Sequence, residues 1–164
     1  MTRAAPDVTS RPATAGDIPE LRCLYRRLEA EMSGLHRMWP VADGLAEPIE
    51  DSFALAITDP NVEVLVGEID GVPFGFLVAR AEDLLPQANG ERIGSIRLVF
   101  VEEEAREVGL GEVLRDAALE ALGARGLTKF DAHVLPGHRL AKNFFESGGF
   151  SARSIVMFHD DGDG

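Results

Sequence analysis

The stretch Ile96–Leu122 constrains the fold of this chain more than any other. It opens as an apolar strand, passes through a loop with Gly109 and Gly111, and continues with apolar residues at helical spacing from Leu110 onward. A glycine loop between a strand and a helix builds an anion site from main-chain N–H groups. The first turn of the helix leaves those groups unpaired, and the helix dipole adds positive charge. We therefore expect this loop to bind a phosphate-bearing ligand.

Two common phosphate loops are excluded. A dinucleotide fingerprint needs a third glycine where the chain has Leu114, and no GxxxxGK[ST] string is present, so the oxidoreductase interpretation fails. The loop Arg106–Gly111 matches R-x-x-G-x-G instead, a pattern too short to decide alone. A metal hydrolase is also disfavoured, and no metal site is predicted, because the four histidines lack HExxH spacing. They are His36, His133, His138 and His159.

Length and charge narrow the class of protein. At 164 residues the chain fits one domain, expected over 8–159, with a disordered N-terminus at 1–7 and an acidic tail at 160–164. The net charge of −12 argues against nucleic-acid or anionic-membrane partners and favours cationic substrates such as amines. No apolar run approaches the roughly 18 residues of a membrane span, and no signal-peptide core is visible. A cytoplasmic protein is the expectation.

The remaining elements follow from periodicity and turn signals. Asp17 and Glu20 are expected to form a capping box at the start of a helix, and Asp70-Gly71 is a strong hairpin signal. Residues 33–48 lose periodicity and are predicted to be a loop. Strands are predicted at 8–11, 62–69, 72–80, 96–101, 129–135 and 150–159, and helices at 17–32, 47–58, 110–122 and 138–147.

Four separate stretches now agree, and the chain resembles a small GCN5-related N-acetyltransferase (GNAT). Ser10–Thr14 followed by Asp17–Leu21 is similar to the opening strand and helix of that family, and Gly67–Phe76 to its hairpin. Arg97–Val101 leading into Arg106–Gly111 resembles the acetyl-coenzyme A motif. Finally, Ala141-x-x-x-Phe145-Glu146-x-x-Gly149-Phe150 is similar to the A-x-x-x-Y-E-x-x-G-F of the family.

The resemblance implies a single-domain α+β fold: a mixed, mostly antiparallel sheet of six to seven strands flanked by about four helices. The sheet is expected to splay open between the central strand and the strand at 129–135. Main-chain groups left unpaired there need partners, and the resemblance implies that the pantetheine arm of acetyl-CoA supplies them. The residues expected to bind the cofactor are Val99, Phe100, Val101, Arg106, Glu107, Val108, Gly109, Leu110, Gly111, Glu112, His138 and Phe145. Arg139 and Lys142 are candidates for the 3′-phosphate, or ordinary solvated charges.

Direct transfer of an acetyl group to a small-molecule or peptide amine is the implied activity. A main-chain N–H near Val101 is expected to polarise the thioester carbonyl. Many family members carry a carboxylate base where this chain has Ser95. The proton is therefore expected to pass through water to Glu91 or His133, unless the amine binds already neutral. His133 also has a structural interpretation, as a half-buried histidine.

The chain departs from the family pattern at two further positions, both near the expected leaving group. The family usually has Tyr at the position of Phe145, whose ring cannot protonate a thiolate, and Asn at that of His138. His138 either contacts the pantetheine, donates a proton through water or caps the helix. His36, Trp39 and Asp43 are expected to bind substrate, although a tryptophan that pins the loop to the core fits the pattern equally well.

An alternative function is a coenzyme A-binding sensor or interaction module with decayed catalysis, because Ser95 and Phe145 replace the usual base and acid. The resemblance is also compatible with a homodimer through the late strands.

Overall fold

The computed structural model describes residues 4–162, which form a five-stranded sheet flanked by helices on both faces. The strands lie in the order β1-β2-β3-β4-β5. The first three pairings are antiparallel, and β4 pairs with β5 in parallel. The strands are β1 (Val8–Pro12), β2 (Val62–Ile69), β3 (Val72–Asp83), β4 (Arg92–Val101) and β5 (Phe130–Ala132).

Five α-helices and three short 3-10 helices complete the described part of the chain. The α-helices are α1 (Ile18–Leu35), α2 (Trp39–Ala42), α3 (Ile49–Thr58), α4 (Leu110–Gly123) and α5 (Arg139–Ser147). The 3-10 helices span Ala15–Asp17, Pro86–Ala88 and Glu103–Val108. The predicted hairpin is confirmed, since Asp70 and Gly71 both have positive φ between β2 and β3, as a tight turn of this kind requires. The loop predicted at 33–48 is partly helical, because α1 runs on to Leu35 and α2 follows.

Two apolar clusters hold the layers together. On one face, α1 and α3 cover the sheet, and Tyr25 packs its ring against Trp39 at 6.1 Å and Phe53 at 6.3 Å. On the other face α4 packs against the sheet through Leu110, Leu114 and neighbours. A Cβ on Gly67 of β2 would lie 2.9 Å from Leu110, so that glycine permits the close approach of α4.

The predicted count of six to seven strands and four helices is wrong, chiefly because the strand predicted at 150–159 does not form. That segment has no regular secondary structure and lies outside the sheet, and its apolar residues Ile155, Val156 and Met157 are 73–89% exposed. β5 is only three residues long, and a strand is stabilised by the partner to which it hydrogen-bonds. Side chains hold the segment in place instead: Arg153 pairs with Asp131 at 2.9 Å, and the Phe158 ring meets the His36 ring edge-on.

The predicted disordered N-terminus and mobile tail are partly outside the described residues, at 1–3 and 163–164. Within the described part, Asp7 exchanges hydrogen bonds with Asp70 in the hairpin, and Asp160 accepts a bond from Arg37 at 3.0 Å. Across residues 4–162, no helix is long and apolar enough to cross a membrane.

Candidate cofactor and acceptor site

The sheet opens between β4 and β5. Their pairing covers three positions and ends at Ile96↔Ala132, after which the His133 N–H donates to the Ile96 carbonyl at 3.2 Å. β4 continues for five more residues, to Val101, beside β3. This is the splay that the family resemblance implied, and among residues 4–162 it leaves one edge of β4 without a strand partner.

The hydrogen-bonding direction along β4 shows which main-chain groups face the splay. Glu102 N–H donates to the Phe74 carbonyl of β3 at 2.8 Å, so alternation along the strand turns the groups of Phe100 toward β3 as well. The groups of Val99 and Val101 then face the open side. The expectation that the main chain of Phe100 binds the cofactor therefore lacks support, whereas Val99 and Val101 are suitably directed.

The N-terminus of α4 lies just beyond the splay. Gly109, with φ of 85°, is its N-cap residue and has no side-chain cap, so the first-turn N–H groups of Leu110, Gly111 and Glu112 lack helical partners. Gly109 adopts the left-handed region that favours glycine. Because Glu107 and Val108 close the 3-10 helix of residues 103–108, the anion site centres on the groups from Gly109 to Glu112.

Arg106 does not point into this anion site. Its Nε donates to the Val101 carbonyl at 2.8 Å, its Nη2 lies 3.0 Å from the Glu31 carboxylate of α1, and its guanidinium carbon lies 5.8 Å from the Phe100 ring centre. The side chain therefore ties the end of β4 to α1. This structural role replaces the expectation that the Arg106 side chain binds the cofactor.

Glu31 is a site residue that the sequence did not reveal. Its Oε1 lies 3.4 Å from Nε2 of His138, so one carboxylate bridges Arg106 and the start of α5 across the mouth of the splay. His138 is the N-cap residue of α5, but its side chain makes no capping bond, so the helix-capping interpretation is wrong. Glu31 is 75 residues from Arg106 in the sequence and lies between two members of the buried stripe of α1, Leu28 and Met32. No local sequence pattern therefore marks it as a site residue.

Helix α5 is held against α4 by aromatic packing and one arginine. Phe145 is only 4% exposed, with Phe144 and Phe150 rings at 4.9 and 5.2 Å. Arg115 donates to the Phe144 carbonyl at 2.9 Å and stacks on the Phe144 ring. Phe145 is thus a core residue in this structure. Of the candidates for the 3′-phosphate, Arg139 and Lys142 are both exposed, and Lys142 lies 3.6 Å from Glu146.

The two candidate bases lie at very different distances from the splay. Glu91 precedes the first residue of β4 and pairs with Lys129. Eight residue-to-residue steps along the strand, about 26 Å, separate it from Val99. That separation is too long for a proton relay through one water. His133 is exposed and directly follows β5 at the opening, so only His133 is kept as a candidate base.

The three residues expected to bind the acceptor do not share one surface. Trp39 is 4% exposed and packs on Tyr25, so it pins the loop to the core. His36 accepts the Met38 N–H at 3.1 Å through Nδ1, and its ring meets Phe158 edge-on at 5.2 Å. Asp43 is partly exposed at the end of α2. His36 and Asp43 therefore remain candidates for binding the acceptor, and Trp39 is no longer one.

Comparisons with known proteins agree with this geometry. The model of the acetyltransferase (GNAT) family matches residues 24–150, and the chain belongs to that family. No curated protein matches the sequence.

Solved structures show the same fold at low identity. A putative acetyltransferase from Agrobacterium tumefaciens str. C58 is 21% identical over 93% of this chain and 99% of its own, with a TM-score of 0.69. The aminoglycoside N-acetyltransferase AAC(6')-Iy in complex with CoA is 16% identical over 99% and 100%, with a TM-score of 0.74. A ribosomal-protein-alanine N-acetyltransferase from Brucella melitensis biovar Abortus 2308 is 18% identical over 94% and 100%, with a TM-score of 0.68.

Proposed function

We propose that this protein is an N-acetyltransferase that uses acetyl-CoA and acetylates a primary amine. The observation that carries the proposal is the splay itself: the free edge of β4 at Val99 and Val101 leads directly to the uncapped N-terminus of α4. An extended amide-bearing arm ending in a diphosphate is the ligand chemistry that this arrangement satisfies. The arm takes the place of a strand, and the diphosphate lies on helix N–H groups.

Each part of the cradle has a defined role in holding the cofactor. The C=O of Val99 and one of the N–H groups of Val99 and Val101 bond the pantetheine amides, and the other N–H is left for the thioester carbonyl. The Val101 carbonyl is already held by Arg106. N–H groups from Gly109 to Glu112 hold the diphosphate. A side chain at Gly111 would crowd the Phe144 ring, 3.2 Å from the added Cβ, so glycine lets α5 pack against the start of α4.

Acetyl-CoA, when bound, supplies the acetyl group as a thioester, and the protein orients the amine and moves its protons. An N–H of β4 facing the splay, at Val99 or Val101, polarises the carbonyl oxygen, as an oxyanion donor does. His133, exposed at the opening, takes a proton from the acceptor amine. His138, held beside Glu31, is placed to return a proton to the thiolate, because Phe145 has no group that ionises.

The acceptor is a small-molecule or peptide amine that binds directly beside the thioester, in a ternary complex. Similar structures include aminoglycoside and ribosomal-protein-alanine acetyltransferases, so both classes belong in a first acceptor panel. The net charge of −12 favours the approach of such cations.

Calorimetry with coenzyme A, followed by a thiol-release assay with acetyl-CoA and an amine panel, tests the proposal. Micromolar binding together with amine-dependent thiol release is the expected result. A folded protein without affinity for coenzyme A would refute the whole assignment, whereas binding without turnover would favour a sensor module. Gly109→Ala, which strains the left-handed start of α4, is the variant expected to bind coenzyme A more weakly, and Gly34→Ala, at an exposed position where a Cβ meets no atom within 4 Å, is its control.

A further inference from the structure

The side chain of His138 is oriented by a contact from another helix rather than by its own. Its main chain is fixed by two hydrogen bonds: the N–H donates to the Leu135 carbonyl, and the carbonyl accepts the Lys142 N–H, each at 3.1 Å. The ring makes no capping bond at the start of α5. Its Nε2 lies instead 3.4 Å from Oε1 of Glu31 on α1, and the two side chains are only 20% and 30% exposed. Water therefore screens this contact less than it screens an ion pair on the open surface.

Glu31 is in turn fixed through its other oxygen. Oε2 accepts a hydrogen bond from Nη2 of Arg106 at 3.0 Å, and Nε of the same guanidinium donates to the Val101 carbonyl at 2.8 Å. Three side chains thus link the end of β4 to the start of α5, and each carboxylate oxygen has its own partner. The link holds the His138 ring at the end of β4 whose main-chain groups face the splay.

The imidazole is the one group of this link that exchanges a proton readily. A guanidinium stays protonated, whereas an unperturbed imidazole changes its charge between pH 5 and 8. Phe145, on the same helix, is buried and has no group that ionises. When one ring nitrogen of a histidine donates to a carboxylate, the other nitrogen is left to the substrate. Oε1 of Glu31 therefore selects Nδ1 as the nitrogen that can act in the splay.

We infer that Glu31 is a positioning residue, which orients His138 as the proton donor to the departing sulfur. This inference rests on the proposed function and names the residue behind one of its steps. As the carbon–sulfur bond breaks, its electron pair goes to sulfur, and imidazolium His138 gives the Nδ1 proton to that sulfur, which leaves as a thiol. The ring remains as neutral imidazole with its N–H on Nε2, facing Glu31. Solvent then reprotonates Nδ1, and this balances the proton that the amine gives up through His133.

A double-mutant cycle of Glu31→Ala and His138→Asn separates positioning from a structural tie. We follow thiol release from acetyl-CoA with an amine of the panel that responds. His138→Asn should lower kcat by about 100-fold and Glu31→Ala by about tenfold, each with a KM for acetyl-CoA within about threefold of the wild-type value. The double variant should be no slower than His138→Asn, because Glu31 acts through that ring. Glu29→Ala is the matched control and should keep the wild-type rate, since Glu29 lies on the same helix, pairs with Arg26 and is 27% exposed.

Nitrogen NMR of the imidazole rings gives a readout that needs neither acetyl-CoA nor an amine. The signals of His138 are those that disappear in His138→Asn. With the ring neutral, the wild-type protein should carry the proton on Nε2 alone. In Glu31→Ala both tautomers become populated, so the two nitrogen shifts should move toward each other. Glu29→Ala should leave them unchanged.

Independent losses in the double variant, about 1,000-fold together, would overturn the positioning role. Nitrogen shifts that Glu31→Ala leaves unchanged would overturn it as well. Thermal melting of each variant checks that the fold is retained. If the wild-type protein binds coenzyme A but acetylates no amine of the panel, the nitrogen shifts decide the question. Failure to bind coenzyme A would instead refute the proposed function, whatever the ring shifts show.

Discussion

Replacing Arg106 by Met separates its two interpretations, a ligand for the diphosphate and a tie between β4 and α1. Methionine keeps an unbranched side chain over Phe100 but loses the Nε bond to the Val101 carbonyl and the Glu31 ion pair. The charged hydrogen bond contributes about 1.5–3 kcal/mol. The ion pair, with both side chains about one-third exposed, adds at most about 1 kcal/mol. We therefore expect the free energy of unfolding to fall by about 2–3 kcal/mol.

Urea unfolding at 25 °C and calorimetry with coenzyme A measure the two consequences. The structure predicts the loss of stability together with a coenzyme A Kd within about threefold of the wild-type value. Arg22→Met is the matched control: Arg22 forms an exposed pair with Glu50, so its loss should cost no more than about 1 kcal/mol. Unchanged stability with a Kd weakened tenfold or more would refute the structural role and return Arg106 to the diphosphate.

Three further predictions concern other parts of the molecule. Arg11 donates to both oxygens of Asp17 at 2.8 Å and lowers the pKa of that carboxyl to about 2, so the stabilisation is present above about pH 4 and is lost as the pH falls toward 2. After discounting for the exposure of Arg11, the Arg11–Asp17 pair stabilises the fold by about 1 kcal/mol. In Asp17→Asn, the free energy of unfolding measured in urea should no longer fall with pH through this range. Phe145→Tyr should leave coenzyme A binding and turnover undiminished while costing about 1–3 kcal/mol for a buried hydroxyl. A large loss of turnover with the fold intact would instead place Phe145 against substrate. Gly109→Ala should cost about 1–2 kcal/mol at φ of 85° and weaken coenzyme A binding severalfold, both measurable by calorimetry.

Sequence patterns correctly predicted the elements that are determined by residues close together in the chain. The stripe from Leu21 to Met32, the Asp70-Gly71 turn and the Gly109 helix start all depend on residues within a few positions of one another. The strand at 150–159 failed for the opposite reason. Its apolar residues suit a strand, but strand formation requires a free and sufficiently long neighbour, and β5 offers three residues.

Long-range partners explain the errors at the site. Arg106 beside an anion loop suggests phosphate binding, until folding brings Glu31 to within 3.0 Å. Trp39 in an aperiodic loop suggests a specificity residue, until Tyr25 packs against it. In both cases the prediction used only the residue type and its neighbours in the sequence. The partner that determines the role, Glu31 or Tyr25, lies on α1, whose position relative to the loop no local pattern specifies.

A single irregularity in β4 determines which groups face the splay. Gly94 donates to β5 and the Ile96 carbonyl accepts from it, so a regular strand would direct Leu98 and Phe100 to the same side. The register with β3 shifts at Val78/Ala79, which leaves Arg97 as the extra residue of a bulge. Beyond it Leu98 and Phe100 join the α1 layer, while Val99 and Val101 pack toward α4. The bulge therefore turns the main-chain groups of Val99 and Val101, and not those of Leu98 and Phe100, toward the open side of the sheet.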